Sequence, residues 1–157
     1  MVNAYFLDSS ALVKRYVAET GSDWILSITA PVARNPLLIA RITWIEVLSA
    51  LTRRLREGSL SPSNVEKAIQ AFRYDMDTQY QVVELDRSLA ESAGQLVRKH
   101  LVRAYDAVQL ASVFQVQPAF ARTKAISLTF ITADERLIAI AQAEGLLADN
   151  PVLHPSV

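Results

Sequence analysis

A chain of 157 residues, 51% hydrophobic and 20% charged, has the length of one domain and enough apolar side chains to close a core. Sixteen Lys and Arg balance sixteen Asp and Glu, which excludes a basic coat for gripping nucleic acid non-specifically, though not a local basic rim. Cysteine is absent and His100 and His154 are the only histidines, so disulfide scaffolds, thiolate sites and cysteine nucleophiles are excluded and a multi-histidine zinc site is disfavoured.

Ala4 to Leu7 is a short apolar run stopped by Asp8-Ser9-Ser10, which can cap a following helix. Ala11 to Ala18 then shows helical spacing at Leu12, Val13, Tyr16 and Val17, and Gly21-Ser22 breaks it. Asp23 to Ala30 reads as a second short helix, Pro31 and Pro36 bracket a turn, and Leu37 to Ile42 is a second strand. Thr43 to Arg56 is amphipathic, with Ile45, Leu48, Leu51, Thr52 and Leu55 along one side; Gly58 ends it. Ser61-Pro62-Ser63 opens a helix to Thr78. Tyr80 to Leu85 is a third strand, and Asp86 caps a helix to Lys99. A long helix starts near Arg103, with Pro118 marking a kink or a break. Ser127 to Thr132 is the fourth strand, Asp134 to Glu144 a helix closed by Gly145, and Leu146 to Val152 offers an edge strand.

Strands alternating with helices predict a three-layer α/β domain with a central parallel sheet covered on both faces, spanning residues 1–157. No linker-like composition shift or internal repeat divides it. No apolar run approaches the roughly 18 residues of a membrane helix. The start, Met-Val-Asn-Ala-Tyr-Phe-Leu-Asp, lacks the basic region and cleavage site of a secretory signal. The expectation is a soluble cytoplasmic protein without a membrane partner.

Ligands of open parallel sheets bind outside the carboxyl ends of the strands. Asp8 and Asp134 follow the first and fourth strands there, while Glu46 and Asp106 fall in the first turns of helices. The helix dipole alone explains any one of them. It explains the set less well, because Glu46 lies between Ile45 and Val47, and Asp106 between Tyr105 and Ala107-Val108. Acids in apolar surroundings need a metal or a cation to face. Oxygen donors without cysteine or histidine favour Mg²⁺ or Mn²⁺. Spacing alone does not decide between the two readings.

Four stretches, in order, resemble a known family. Leu7-Asp8-Ser9-Ser10-Ala11-Leu12-Val13-Lys14-Arg15-Tyr16, followed by Glu19, Gly21 and Ser22, is similar to the opening of PIN-domain ribonucleases. Glu46-Val47-Leu48-Ser49-Ala50-Leu51 and Tyr105-Asp106-Ala107-Val108-Gln109-Leu110-Ala111 resemble their second and third acidic motifs. Phe130-Ile131-Thr132-Ala133-Asp134-Glu135-Arg136-Leu137, then Ala141, Gly145 and Leu146, resembles the fourth. Each motif is weak and the ordered set is specific. The branch it most resembles is the VapC-type toxins of prokaryotic toxin–antitoxin pairs. Gln115 to Ala125 is the stretch least typical of the family.

The resemblance implies a metal-dependent endoribonuclease of single-stranded or loop RNA, leaving 5′-phosphate and 3′-hydroxyl ends. It makes Asp8, Glu46 and Asp106 the main ligands of Mg²⁺ or Mn²⁺, with Asp134 completing the acidic pocket directly or through water. The hydroxyls of Ser10 and Thr132 would hold a water or a phosphate oxygen. It also implies a cognate antitoxin as partner, and a homodimer, the family's common state.

The basic residues divide. Arg53, Arg54 and Arg56 suit a solvated helix end, and Lys14 and Arg15 either flank the site or face solvent. Arg98, Lys99, His100 and Arg103 precede Asp106 and are candidates for its rim. His100 reads as structural, and Tyr16, Trp24 and Trp44 as core or interface anchors. An aspartyl-phosphate phosphatase would want a second acid where Ser10 stands. A receiver domain would want an acidic pair at the first strand and a late lysine, and Leu7-Asp8 and Thr132-Ala133-Asp134 supply neither. A catalytically silent PIN-like RNA-binding module would usually lack an acid, and all four are present.

Overall fold

The computed structural model of the chain describes residues 2–154 and 156. The first strand, β1 (Val2–Leu7), is followed by α1 (Ser9–Tyr16), α2 (Ser22–Thr29), one 3-10 turn and β2 (Leu37–Ala40). Then come α3 (Thr43–Arg56), α4 (Pro62–Thr78) and β3 (Tyr80–Val83), and next α5 (Arg87–Lys99), α6 (Ala104–Ala121) and β4 (Ile126–Ile131). α7 (Glu135–Ala143), β5 (Leu147–Asp149) and a second 3-10 turn at Pro151–Leu153 follow.

The strands form one parallel sheet in the order β3-β2-β1-β4-β5. From β1 the chain builds outward through β2 and β3, then returns to lay β4 on the other side. The order therefore reverses at β1. β1 and β4 pair from Val2–Ile126 to Leu7–Ile131, so they end side by side and open a crevice where α/β sheets bind ligands.

Strand alternation feeds two cores. Ala4, Phe6, Leu38 and Phe130 point toward α5, α6 and α7, where Leu89, Leu110 and Leu137 cover them. Leu7, Leu37, Ile39 and Ile131 point the other way, against Leu12, Ile25, Val47 and Phe72 of the first four helices. The Leu-Leu-Ile-Ala run of β2 is wholly buried, as a strand covered on both faces must be. The expected three-layer architecture is what forms.

Three local expectations need correction. β2 and β3 stop at Ala40 and Val83, before the expected Ile42 and Leu85. Arg41 N–H still donates to Val83 O, but Ile42 has already turned into helical backbone to start α3. Pro118 does not break the helix, since α6 runs past it to Ala121. It sits exposed in the final turn, where the carbonyl it leaves unbonded can meet water. Finally, α3 buries Thr43, Val47 and Leu51, whereas Ile45 is 59% exposed.

The turn after α1 also has a tight requirement. Gly21 adopts φ +91°, and a Cβ there would lie 2.6 Å from Pro151 O, so the C-terminal 3-10 turn packs directly on it.

Candidate active site

Asp8 occupies the junction of β1 and α1 in extended backbone, as the N-cap of α1. Its Oδ1 accepts the Ala11 N–H at 2.9 Å and the Ser10 hydroxyl at 2.7 Å. Ser10 Oγ accepts the Ala133 N–H at 2.9 Å and lies 3.3 Å from Thr132 Oγ1, which accepts the Asp134 N–H at 3.1 Å. One hydrogen-bonded chain thus ties the end of β1 to the end of β4, and both hydroxyls are engaged in it. Asp8 is 3% exposed. Burial pushes its carboxyl up to about 6, against the bonds from Thr132, Ser10 and Ala11, and the Glu46 charge adds to the rise.

Glu46 stands in the first turn of α3, and its Oε1 accepts from Gln109 Nε2 at 2.8 Å. The same amide donates to Thr43 Oγ1 at 2.8 Å, so one α6 side chain grips two residues of the α3 start. Gln109 and Thr43 are buried, and Gln109 Oε1 has no hydrogen-bond partner among the described residues. Rotating the amide would place a carbonyl oxygen against the Glu46 carboxylate, so the acid itself fixes the donor's direction. Burial raises the Glu46 carboxyl above its usual range, partly offset by bonds from Gln109 and Ser9; the Asp106 charge raises it further and the Arg103 charge lowers it.

Asp106 lies in the first turn of α6 and pairs through Oδ2 with Arg103 Nε at 3.1 Å. Asp134 caps α7, its Oδ1 accepting the Arg136 N–H at 2.9 Å. These two acids share a groove of about 300 Å³ with Val102 and Leu137. Glu46, Ser9 and Ser10 line another, of about 500 Å³, on the side of α1 and α3. Among the described residues no three His, Cys, Asp or Glu side chains close into a ready-made metal cage. The sheet edge therefore gathers Asp8, Glu46 and Asp106 within electrostatic reach as a chain of neighbours, with Asp134 beside Asp106. The neighbouring acid raises the carboxyl of both Asp8 and Glu46, but burial is the larger cause in each.

The donor set suits a hard divalent cation. Among the described residues no Lys, Arg or His pairs with Asp8 or Glu46. For Asp8, which is buried, a carboxylate without a counter-charge is costly unless an ion is to face it; Glu46 is half-buried, and the cationic charge it feels is that of Arg103. Ser10 and the Ala11 N–H hold Asp8 Oδ1 and Gln109 holds Glu46 Oε1, which sets each rotamer, and a carboxylate keeps further lone pairs with which to bind. Oxygen-only ligation fits Mg²⁺ or Mn²⁺.

Other candidates fall elsewhere. Lys99 and His100 both reach Glu144 at 2.6 Å, and of Arg98, Lys99, His100 and Arg103 it is Arg103 that lines the Asp106 groove. Arg15 bonds Tyr80 and Gln79 and takes no part at the sheet edge. Tyr16, Trp24 and Trp44 pack on the core, as anchors should. Lys14 and Arg54 are both held by Glu19, at 3.0 and 2.7 Å, so Arg54 is not a solvated helix end. Gln109 and Thr43 were given no role by sequence reasoning. Their only signal is that polar residues fall at core positions of α6 and α3.

The PIN domain family matches residues 5–143. The chain is a member of the PIN-domain family. Ribonuclease VapC45 of Mycobacterium tuberculosis (strain CDC 1551 / Oshkosh) is 33% identical over 111 residues, 71% of this chain and 75% of the relative. Among solved structures, this PIN domain is similar to VapC20 of Mycobacterium tuberculosis, described as a sarcin-ricin loop cleaving toxin. The TM-score is 0.64 at 17% identity, covering 97% of this chain and 100% of that one. A toxin-antitoxin complex from Klebsiella pneumoniae gives a TM-score of 0.63 at 17% identity, covering 94% and 98%. No described helix is long and apolar enough to cross a membrane.

Proposed function

We propose that this PIN domain is a Mg²⁺- or Mn²⁺-dependent endoribonuclease that cleaves single-stranded or loop RNA as the toxin of a toxin–antitoxin pair. The observation that carries the reading is Asp8, 3% exposed at the point where strand order reverses, without a cation and with its carboxyl raised to about 6. A site built this way stores unbalanced negative charge for an ion to relieve. The relatives named as ribonucleases support RNA as the substrate. Neighbours solved as toxin-antitoxin complexes support an antitoxin partner, and the proposal includes a homodimer acting in the cytoplasm, the whole chain forming one domain.

Asp8, Glu46 and Asp106 would hold the ion, with Asp134 completing the pocket directly or through water. When bound, Mg²⁺ or Mn²⁺ lowers the pKa of the attacking water and balances charge on the phosphate. The protein's own part is orientation. Ser10 and the α1 backbone hold Asp8 Oδ1, and Gln109 holds Glu46 Oε1. Water adds to phosphorus and the bond to the 3′ oxygen breaks, leaving the 5′-phosphate and 3′-hydroxyl expected from the family resemblance.

Purified protein should cut a single-stranded RNA with Mn²⁺ or Mg²⁺ and stop in excess chelator, and Asp8→Asn should be inactive. Induction of wild type, but not of Asp8→Asn, should arrest growth. Undiminished cleavage in chelator would remove the metal mechanism.

A further inference from the structure

The groove of about 500 Å³ beside Glu46 has an ordered lining that the ribonuclease reading leaves unused. Two rows of α3 residues run along it at i, i+4, i+8 spacing: Ile45, Ser49 and Arg53, then Glu46, Ala50 and Arg54. At a rise of about 1.5 Å per residue, each row carries the groove about 12 Å from its acidic end to its cationic end. The middle is floored by small side chains.

The two ends differ in chemistry. At the acidic end, the residue preceding each of two site acids is a large apolar side chain turned to solvent. Ile45, before Glu46, is 59% exposed, and Tyr105, before Asp106, is 55% exposed; both line this groove. At the far end stand Lys14, Arg53 and Arg54. Glu19 binds Lys14 and Arg54, and Arg53 enters none of the ion pairs among the described residues. Three cations against one carboxylate leave two net positive charges there.

We propose that this groove is a binding track for one arm of single-stranded RNA, with a nucleobase held on Tyr105 and Ile45 and the following phosphates on Arg53, Arg54 and Lys14. The pairing of an aromatic face with a cationic groove is how sequence-tolerant single-strand binders work: bases stack, and the backbone meets charge. A duplex would present its bases paired and stacked, with no face free for Tyr105, which commits the track to unpaired RNA. The inference rests on the ribonuclease reading and adds to it where the strand lies.

The test uses fluorescence anisotropy of a short labelled single-stranded RNA on the full chain in excess chelator, across a salt series. Tyr105→Ala should weaken binding about tenfold with an unchanged salt slope, and Tyr105→Trp should restore it. Arg53→Ala should weaken binding and lower the slope of log affinity against log salt by about one. Undiminished binding by both alanine variants, or a Trp variant as weak as the Ala one, overturns the track. So does an intact RNA affinity with selective loss of antitoxin binding, which would make the groove a protein-docking face. Wild type that leaves RNA whole with Mn²⁺ fails the ribonuclease reading itself. Wild type that cleaves while the variants bind normally fails the track alone.

Discussion

Replacing Asp8 by Asn removes a charge from a site only 3% exposed and keeps a side-chain oxygen able to cap α1. Burial moves the folded carboxyl from its ordinary 3.8 to about 6. Ionising it in the folded chain therefore costs about 3 kcal/mol more than in the unfolded one. Below a pH of about 4 the group is protonated in both states and the penalty is absent. As pH rises from about 4 to about 6 the unfolded chain gives up its proton first, so the folded state loses that stability, and above about 6 the loss is complete. Without divalent ions, Asp8→Asn should consequently melt above wild type at pH 7.5 and converge with it toward pH 4. For a domain of this size about 3 kcal/mol corresponds to a shift of roughly 6–12 °C, an upper bound because the amide must find its own partners. Added Mn²⁺ should close most of that gap, since wild type gains about 2.7 kcal/mol at a hundredfold excess over Kd and the variant gains less. Circular-dichroism melts at matched ionic strength measure both effects. A variant less stable than wild type by the same margin at every pH would show Asp8 to be a helix cap and nothing more.

Two further outcomes follow from single contacts. Gln109→Met keeps the side chain's volume and removes the donor that holds Glu46; it should weaken Mn²⁺ binding measured by calorimetry about tenfold and lower kcat more than it changes KM, and an unchanged Mn²⁺ affinity would make Gln109 a purely structural strut. Gly21→Ala, which sets a Cβ against Pro151 O at positive φ, should cost about 2–3 kcal/mol in denaturant unfolding with cleavage per folded molecule unchanged, and an unaltered midpoint would disprove the close packing of the C-terminal turn.

Much of the fold was legible because its signals are local. Asp8, Ser61, Asp86 and Asp134 each stand where a helix begins and each cap it by a side-chain bond to a backbone N–H. The apolar runs between them are short and continuous, and that marks strands covered on both faces. Strand ends were overrun because Ile42 and Leu85 are apolar for reasons other than pairing: Ile42 is core at the start of α3, and Leu85 is 46% exposed in the approach to α5. The acids were legible as a set, and the structure brings them to one edge, yet their apolar sequence neighbours misled in one respect. Glu46 and Asp106 are not enclosed by Ile45 and Tyr105, which face outward beside them.

The same misreading explains α3 and shows where pattern and chemistry part. Hydropathy placed Ile45 on the inner stripe and had no reason to bury a threonine. Tertiary contact decides otherwise. Gln109, arriving from α6, finds its two acceptors in Thr43 and Glu46, and a buried amide secures such partners because leaving its donor unmet costs more than burying one hydroxyl. With Thr43 drawn in, 100° per residue carries Val47 and Leu51 to the core and turns Ile45 nearly to the opposite side. The rotation that exposes Ile45 is thus the one that lets Glu46 meet Gln109 at the edge, where its carboxylate can face an ion. An exposed isoleucine is an anomaly for a helix judged by its core. For a helix whose first turn must present a carboxylate it is a geometric consequence, and it leaves an apolar surface next to the phosphate chemistry for a base to use.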